Sequence, residues 1–392
     1  MTALAVGDFA PWFTPVVPLP TGSASVGQAQ AGQDFVMGGY RAVLFFFGRA
    51  QDPQIKAVLT ELYQARQQFA QQHLHFFAIG IDPADRVLEQ HLTPSSHFHW
   101  LWDVGGEISV RYGLCQISPT GSITYDPTTF VLDENLRILA RQPLAVGTTY
   151  APQLLQTLAT LPQPAPARLI QQQAPVLLIP NVFSAQFCQQ LIQGYRANGG
   201  IESGFMRQEG QQTRIVLDPK VKRRRDWLLT EPGLLQQINS ILGRRVVPEI
   251  EKAFQFRATR FERYTVACYE AAQQGFFQPH RDNTAQGNAH RRFALTLNLN
   301  EGYEGGCLRF PEYGSDLYSP GPGSAVVFSC SLLHEVLPIT QGQRFVLLSF
   351  FYGEAEAKLR QQTQQQILRD GSLPQVGNDR IIPSPAQSGS AG

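Results

Sequence analysis

Apolar positions in the N-terminal part of the chain follow two patterns in turn. AVLFFFG (42–48) and HFFAIGID (75–82) are unbroken apolar runs of the length expected for strands buried on both faces. Between them, PQIKAVLTELYQARQQFAQQ sets Ile55, Val58, Leu59, Leu62 and Phe69 at helical spacing. GGEISVRYGL predicts a short helix, TTFVLD (128–133) a further strand and YAPQLLQTLATL a closing helix. Strand and helix alternating in this way predict an α/β sandwich.

The pattern breaks at LPQPAPARLIQQQAP (161–175), where proline and glutamine displace periodic apolar residues, as in an interdomain linker. Two helical stretches follow, SAQFCQQLIQGYRA and GLLQQINSILGRRVVPEIEKAFQF. Short strands then dominate: FERYTVACY, RFALTLNLN, GGCLRF, GSAVVFSC and QRFVLLSFFYG, separated by Gly and Pro turns. Helices followed by strands predict an α+β domain with a jelly-roll core. The domain boundaries expected are 1–162, a linker over 163–174, 175–356, and a flexible tail over 357–392 ending in SPAQSGSAG. No internal repeat is present.

A length of 392 residues with 43% hydrophobic content suits two domains with real cores. A net charge of +1 gives no push towards nucleic acid or anionic membrane. No apolar run is long enough to span a bilayer, and the start MTALAVGDFAPWFTP lacks a basic leader. Five scattered cysteines without a CxxC pair fit reduced thiols in a cytoplasmic enzyme.

The candidate chemistry lies in FFQPHRDNTAQGNAHRRFALTLNLN (276–300). His280 and Asp282 alternate by two, so an extended backbone points both the same way. A non-haem iron centre needs two imidazoles and one carboxylate on one face of the metal. His334, in CSLLHEV, is the candidate third ligand. Arg344 opens the strand RFVLLSFFYG ten residues later, where a fixed guanidinium suits a dicarboxylate.

With VACY (Tyr269), NLNEGYEGGCLRFPEYG and PGPGSAVVFSCSLLHEVLPITQGQR, these motifs resemble 2-oxoglutarate/iron(II)-dependent oxygenases of the prolyl-4-hydroxylase type over about 175–353. The resemblance implies a double-stranded β-helix holding iron(II) through His280, Asp282 and His334. It also implies 2-oxoglutarate bound by Arg344 with Tyr269 as a helper, dioxygen as oxidant and ascorbate in support. The implied reaction hydroxylates a C–H bond of a protein side chain or small metabolite, releasing succinate and carbon dioxide. The chain departs from the family in having Phe277, Leu297 and Asn298 where tyrosines are common, which leaves the substrate open. The run KVKRRRD (220–226) reads first as a solvated basic face, with attraction of an acidic substrate or stabilisation of a lid as the other readings. Asn283, Arg291 and Arg292 read as a pocket lining or a solvated rim. His97 and His99 alternate by two in HFHW without a carboxylate or cysteine pattern beside them.

The N-terminal segment resembles a thioredoxin-fold peroxiredoxin, through LAVGDFAPWF, AVLFFFG and DPTTFVLDENLRILAR. That resemblance implies a cis-proline at Pro127. The family's Thr-x-x-Cys falls on Asp52 and Ile55, so the nucleophilic thiolate is missing from the helix start, and Cys115 sits elsewhere. The expectation is a redox-inactive scaffold for binding, substrate presentation or homodimerisation. The alternative to catalysis is a sensor that reports 2-oxoglutarate, iron or oxygen through this domain.

Overall fold

A computed structural model describes residues 3–13, 16–17, 33–34, 37–118, 123–145, 149–162, 166–363, 367–368 and 380–381. The chain forms two compact units, Met1–Ala167 and Arg168–Gly392. None of its helices, among the described residues, is long and apolar enough to cross a membrane.

In the first unit a five-stranded sheet runs in the order Phe98–Trp102, Leu74–Gly80, Arg41–Gly48, Thr128–Leu132, Ile138–Pro143. The first three strands are parallel and the last two antiparallel. Successive residues of the central strand feed opposite cores. Val43, Phe45 and Phe47 meet the helices Pro53–Gln64 and Tyr150–Ala159, while Ala42, Leu44 and Phe46 pack with Phe13, Tyr112 and Phe130. Burial on both faces is why this strand reads as unbroken apolar sequence. Asp52 caps the first helix, its carboxylate accepting from the Gln54 amide, and Pro53 supplies the first turn. Ile55 is buried in the core there, so an apolar anchor fills the position of the family's thiol. No cis peptide bond occurs among the described residues, which corrects the expectation at Pro127.

Beside a three-stranded sheet (Phe205–Glu209, Gln212–Val216, Ile367–Leu368) and a two-stranded one (Glu304–Gly305, Ile339–Gln341), two sheets of the second unit frame the site. The larger contains Val176–Ile179, Ala325–Ser329, Phe293–Asn298, Gln343–Tyr352, Thr265–Glu270, Arg225–Leu228 and Ile201–Glu202 in that order. The smaller contains Lys222–Arg223, Phe276–His280, His334–Val336, Leu308–Arg309 and Leu317–Tyr318. Alternation along the large sheet sorts its side chains into two cores. Val266, Cys268, Leu295, Leu297, Val327 and Leu347 pack with the helices Ala185–Asn198 and Pro232–Arg245. Ala267, Tyr269, Ala294, Val326, Phe328 and Val346 instead meet Phe277, Leu308 and Val336 of the small sheet. The site therefore lies between two sheets, on the face away from the helices.

Three details differ from the sequence reading. The second helical stretch is two helices, Pro232–Arg245 and Val247–Phe254, because Pro248 begins a new first turn. Residues 168–174 belong to the second unit, where Ala174 is buried between the sheets, while 163–165 lie outside the described residues. A flexible tail from 357 does not hold at its start. The helix Glu354–Thr363 crosses that boundary and buries Ala357 and Arg360, with Arg360 donating to the Tyr352 hydroxyl at 2.9 Å. Ile367–Leu368 and Arg380–Ile381 pair with neighbouring strands; the rest of the tail lies outside the described residues.

One glycine carries a close approach that fixes the site's far end. Gly323, at φ +75°, donates to the Asn298 carbonyl at 2.8 Å and accepts from the Phe183 amide at 2.9 Å. A Cβ there would stand 2.2 Å from the Phe183 oxygen, whereas Gly210, at φ +61°, has open space around it. Gly210→Ala should cost only the left-handed strain, about 1–2 kcal/mol. Gly323→Ala should cost clearly more in urea denaturation, and equal losses would contradict this packing.

Candidate metal centre and its cavity

Backbone pairing brings the two histidines together. His280 ends its strand directly opposite His334 on the neighbouring antiparallel strand, and the ring centroids are 4.2 Å apart. Each imidazole is pinned by a local carbonyl: His280 Nδ1 lies 2.7 Å from the Gln278 oxygen and His334 Nδ1 3.0 Å from the Leu332 oxygen. A carbonyl only accepts, so both Nδ1 atoms carry the proton and both Nε2 atoms keep a free lone pair. The Asp282 carboxylate completes the group, 3.6 Å from His280 Nε2 and 3.3 Å from His334 Nε2. All three ligand atoms lie within 4.8 Å of one another. Burial, followed by the nearby His334, lowers the His280 pKa to about 3, so its ring is neutral and ready to ligate at neutral pH.

Asp282 lies just past the strand, so strand alternation alone does not hold it. Its amide donates to the Cys330 carbonyl at 2.9 Å, and its own carbonyl accepts from Arg291 Nη1 at 3.4 Å. Arg291 is gripped bidentately by Glu262, at 2.5 and 2.7 Å. The Glu262 side chain is fully buried, and Arg263 also pairs with it. Burial alone would raise the Glu262 pKa, but Arg291 and Arg263 hold it well below the usual carboxylate range.

A cavity of about 620 Å³ opens beside the triad, with Tyr269 and Phe328 among its walls. Arg344 is 1% exposed and sits across the strand pair from Tyr269, its guanidinium 5.8 Å from that ring's centre. Its Nε and Nη2 donate to Asn298 Oδ1 at 3.2 and 2.8 Å, and its Nη1 to the Gly306 carbonyl at 2.8 Å. These acceptors are neutral, and among the described residues Arg344 forms no ion pair. A buried guanidinium without a countercharge is costly, and an anion would relieve it. The Tyr269 hydroxyl accepts from Arg224 Nη1 at 3.4 Å rather than from Arg344.

The basic run is not a solvated face. Lys222 is buried, and Arg224 forms a bidentate pair with Asp226 at 2.7 Å for both bonds. Lys222, Arg224 and Asp226 all line the cavity. The physical reason is a change of sheet: 222–223 belongs to the small sheet and 225–228 to the large one, so the run crosses the cavity mouth. Burial acts to raise the Asp226 pKa, yet Arg224 and Lys222 hold it at about 2. Arg291 is likewise buried, whereas Arg292 is half exposed and pairs with Glu356 at 2.9 Å. Asn283, near the surface, donates to Ser331 Oγ at 2.8 Å. In the first unit His75 and His99 touch at 3.1 Å and His97 stacks on His75, but among the described residues only His280, Asp282 and His334 form a group that could hold a metal ion. Cys115 is buried, and burial with the nearby Asp103 raises its thiol pKa.

The sequence model of the 2OG-Fe(II) oxygenase superfamily matches residues 264–352, and that of the AhpC/TSA family matches residues 6–141. A PKHD-type hydroxylase of Shewanella oneidensis is 31% identical over 205 residues, covering 48% of this chain and 85% of the relative. A multifunctional procollagen lysine hydroxylase and glycosyltransferase of Caenorhabditis elegans is 25% identical over 193 residues, 47% of this chain. The chain spans 25% of that relative's length, and 14% of a mouse procollagen-lysine,2-oxoglutarate 5-dioxygenase 1 that it also matches. Among solved structures, a Pseudomonas putida prolyl-4-hydroxylase aligns at TM-score 0.36 and 19% identity, over 46% of this chain and 93% of that one. The peroxidoxin BcpB of Mycobacterium tuberculosis aligns at 0.32 and 18%, over 40% and 96%. The chain belongs to the 2OG-Fe(II) oxygenase superfamily, whose members use iron(II), 2-oxoglutarate and dioxygen.

Glu262→Gln removes the charge that balances buried Arg291 and partly exposed Arg263. It should destabilise the protein by about 3–5 kcal/mol, the usual loss when one partner leaves a buried pair. A change below about 1 kcal/mol in denaturant unfolding would show that the network does not support the site.

Proposed function

We propose that the second unit is an iron(II)- and 2-oxoglutarate-dependent hydroxylase acting on a protein side chain or small metabolite, with release of succinate and carbon dioxide. The observation that carries this reading is the convergence of two Nε2 atoms and a carboxylate within 4.8 Å, each imidazole oriented by its own carbonyl. That donor set, three groups on one side with the cavity on the other, suits iron(II). His280, Asp282 and His334 would hold the metal. The two facing sheets would form the walls of a jelly roll.

Arg344 would hold the far carboxylate of 2-oxoglutarate, with Asn298 and the Gly306 carbonyl fixing the plane of its guanidinium. Tyr269 would shape the wall beside it. The barrel interior, lined by Ala294, Leu308, Phe328 and Val336, would keep water from the reacting atoms. When bound, iron and 2-oxoglutarate together supply the oxidising power to insert an oxygen atom from dioxygen into a substrate C–H bond. An intact ligand set favours this reading over a sensor. The first unit would serve as a binding or presentation domain without thiol-peroxidase chemistry, since Ile55 is a core residue and Cys115 is buried.

Succinate formation from 2-oxoglutarate should require iron(II) and vanish in His280→Ala, Asp282→Ala and His334→Ala; full turnover in any of the three would sink the assignment. Arg344→Lys keeps the charge but loses the planar fork. Loss of one charge-assisted hydrogen bond, roughly 1.5–3 kcal/mol, should raise the Michaelis constant for 2-oxoglutarate about ten- to hundredfold. Near-normal constants would remove 2-oxoglutarate from that end of the cavity.

A further inference from the structure

The cavity is lined by a buried lysine that the reaction above leaves unused. Lys222 is 7% exposed, and its ammonium donates to Ser203 Oγ at 2.5 Å and to the Gly204 carbonyl at 2.7 Å. Both acceptors are neutral, the ammonium has a third N–H, and Lys222 forms no ion pair among the described residues. Its strand pairs Lys222 with Phe277, whose ring lies 5.0 Å from the ammonium and stacks on His280 at 3.5 Å. The cation is thereby set beside the metal site, on a different strand from Arg344.

Burial, followed by the nearby Arg224, pushes the Lys222 pKa well below its ordinary value, so the charged form lacks a partner that an entering carboxylate would supply. Lys222, Arg224, Arg263 and Arg291 line the interior, while Asp226 and, behind the last two arginines, Glu262 are their carboxylate partners. The three arginines are paired with these carboxylates, Asp282 belongs to the proposed metal site, and Lys222 has neutral partners only. At the rim, Arg281 is already paired with Glu312, and Glu202 is exposed. Beside Lys222, Phe205, Met206 and Ile215 supply apolar lining from the hairpin Phe205–Glu209 and Gln212–Val216.

From this juxtaposition we infer that the substrate carries its own carboxylate on an apolar body, and that Lys222 receives the carboxylate beside the metal. The inference rests on the oxygenase reading and adds the chemical class of its substrate. A buried ammonium with neutral partners gains a charge-assisted hydrogen bond when such a group enters, and a neutral analogue leaves it uncompensated.

The test uses the full-length protein loaded with Mn(II) in place of iron and with saturating 2-oxoglutarate. Calorimetry then compares N-acetyl-L-glutamate, the neutral glutamine derivative N-acetyl-L-glutaminamide and the peptide acetyl-Ala-Ala-Glu-Ala-Ala-amide. At least one acid should bind about tenfold or more tightly than the glutamine derivative, as one charge-assisted hydrogen bond implies. Preference for the free acid identifies a small metabolite, and preference for the peptide identifies an acidic side chain. Lys222→Gln should lose that factor and Lys222→Arg should retain most of it. Equal binding of acid and amide, no binding of either acid, or an undiminished acid affinity in Lys222→Gln overturns the inference. So does an equal loss of 2-oxoglutarate affinity in that variant, because the ammonium would then serve the cosubstrate. If Lys222→Gln fails to fold, the wild-type comparison of acid with amide decides alone. A wild type that takes up neither Mn(II) nor 2-oxoglutarate sinks the oxygenase reading itself, before any probe is added, and this inference with it.

Discussion

His280 and His334 face each other across two antiparallel strands, so the backbone ladder, rather than any attraction between the rings, holds the imidazoles at 4.2 Å. Two imidazoles gain little from that approach, and burial penalises charging His280. The arrangement is stable because each Nδ1–H is satisfied by a carbonyl on its own chain segment. What remains unsatisfied is two Nε2 lone pairs aimed at one carboxylate, the electrostatic state that a divalent cation resolves. Much of the second unit can be understood as support for this contact. The large sheet provides an apolar wall, the helices cover that sheet's other face, and the small sheet carries the ligands.

Asp282 needs a different kind of support because it lies outside the ladder. It is tethered through its amide to Cys330 and through its carbonyl to Arg291, which Glu262 anchors. The cavity concentrates charge: Arg263 and Arg291 with Glu262, Arg224 with Asp226, and Lys222 with neutral partners only. Buried ion pairs contribute weakly to stability, since desolvation offsets much of their attraction. Four cations around one cavity are better explained by binding than by folding.

The grouping of His280, Asp282 and His334 was legible in the sequence because polar residues of these types stand at or just past strand ends with defined spacing. The continuous apolar runs of the first unit were legible for the complementary reason, that only a doubly buried strand tolerates them. Lys222 and Arg224 were not. Consecutive cations ordinarily read as a solvated surface, and nothing local announces that the chain changes sheets at Arg224. A period-two reading holds the missing signal: Lys222, Arg224 and Asp226 alternate with Arg223 and Arg225, and the first three line the cavity. Asn298 was noticed only as a departure from the family. Its role in fixing Arg344 depends on a pairing between strands far apart in sequence. Glu262 was invisible because its partners Arg263 and Arg291 are brought together only by the folded sheets.

Under the proposed function His280, Asp282 and His334 would hold iron(II), and Arg344 would hold the far carboxylate of 2-oxoglutarate. Anaerobic titration of iron(II) and then 2-oxoglutarate, followed by visible absorption, tests it without requiring the substrate. The account predicts a charge-transfer band that appears only when both are present, saturates at one iron per chain and is lost in Asp282→Ala. No band in the wild-type protein, or a band of unchanged strength in Asp282→Ala, would contradict it.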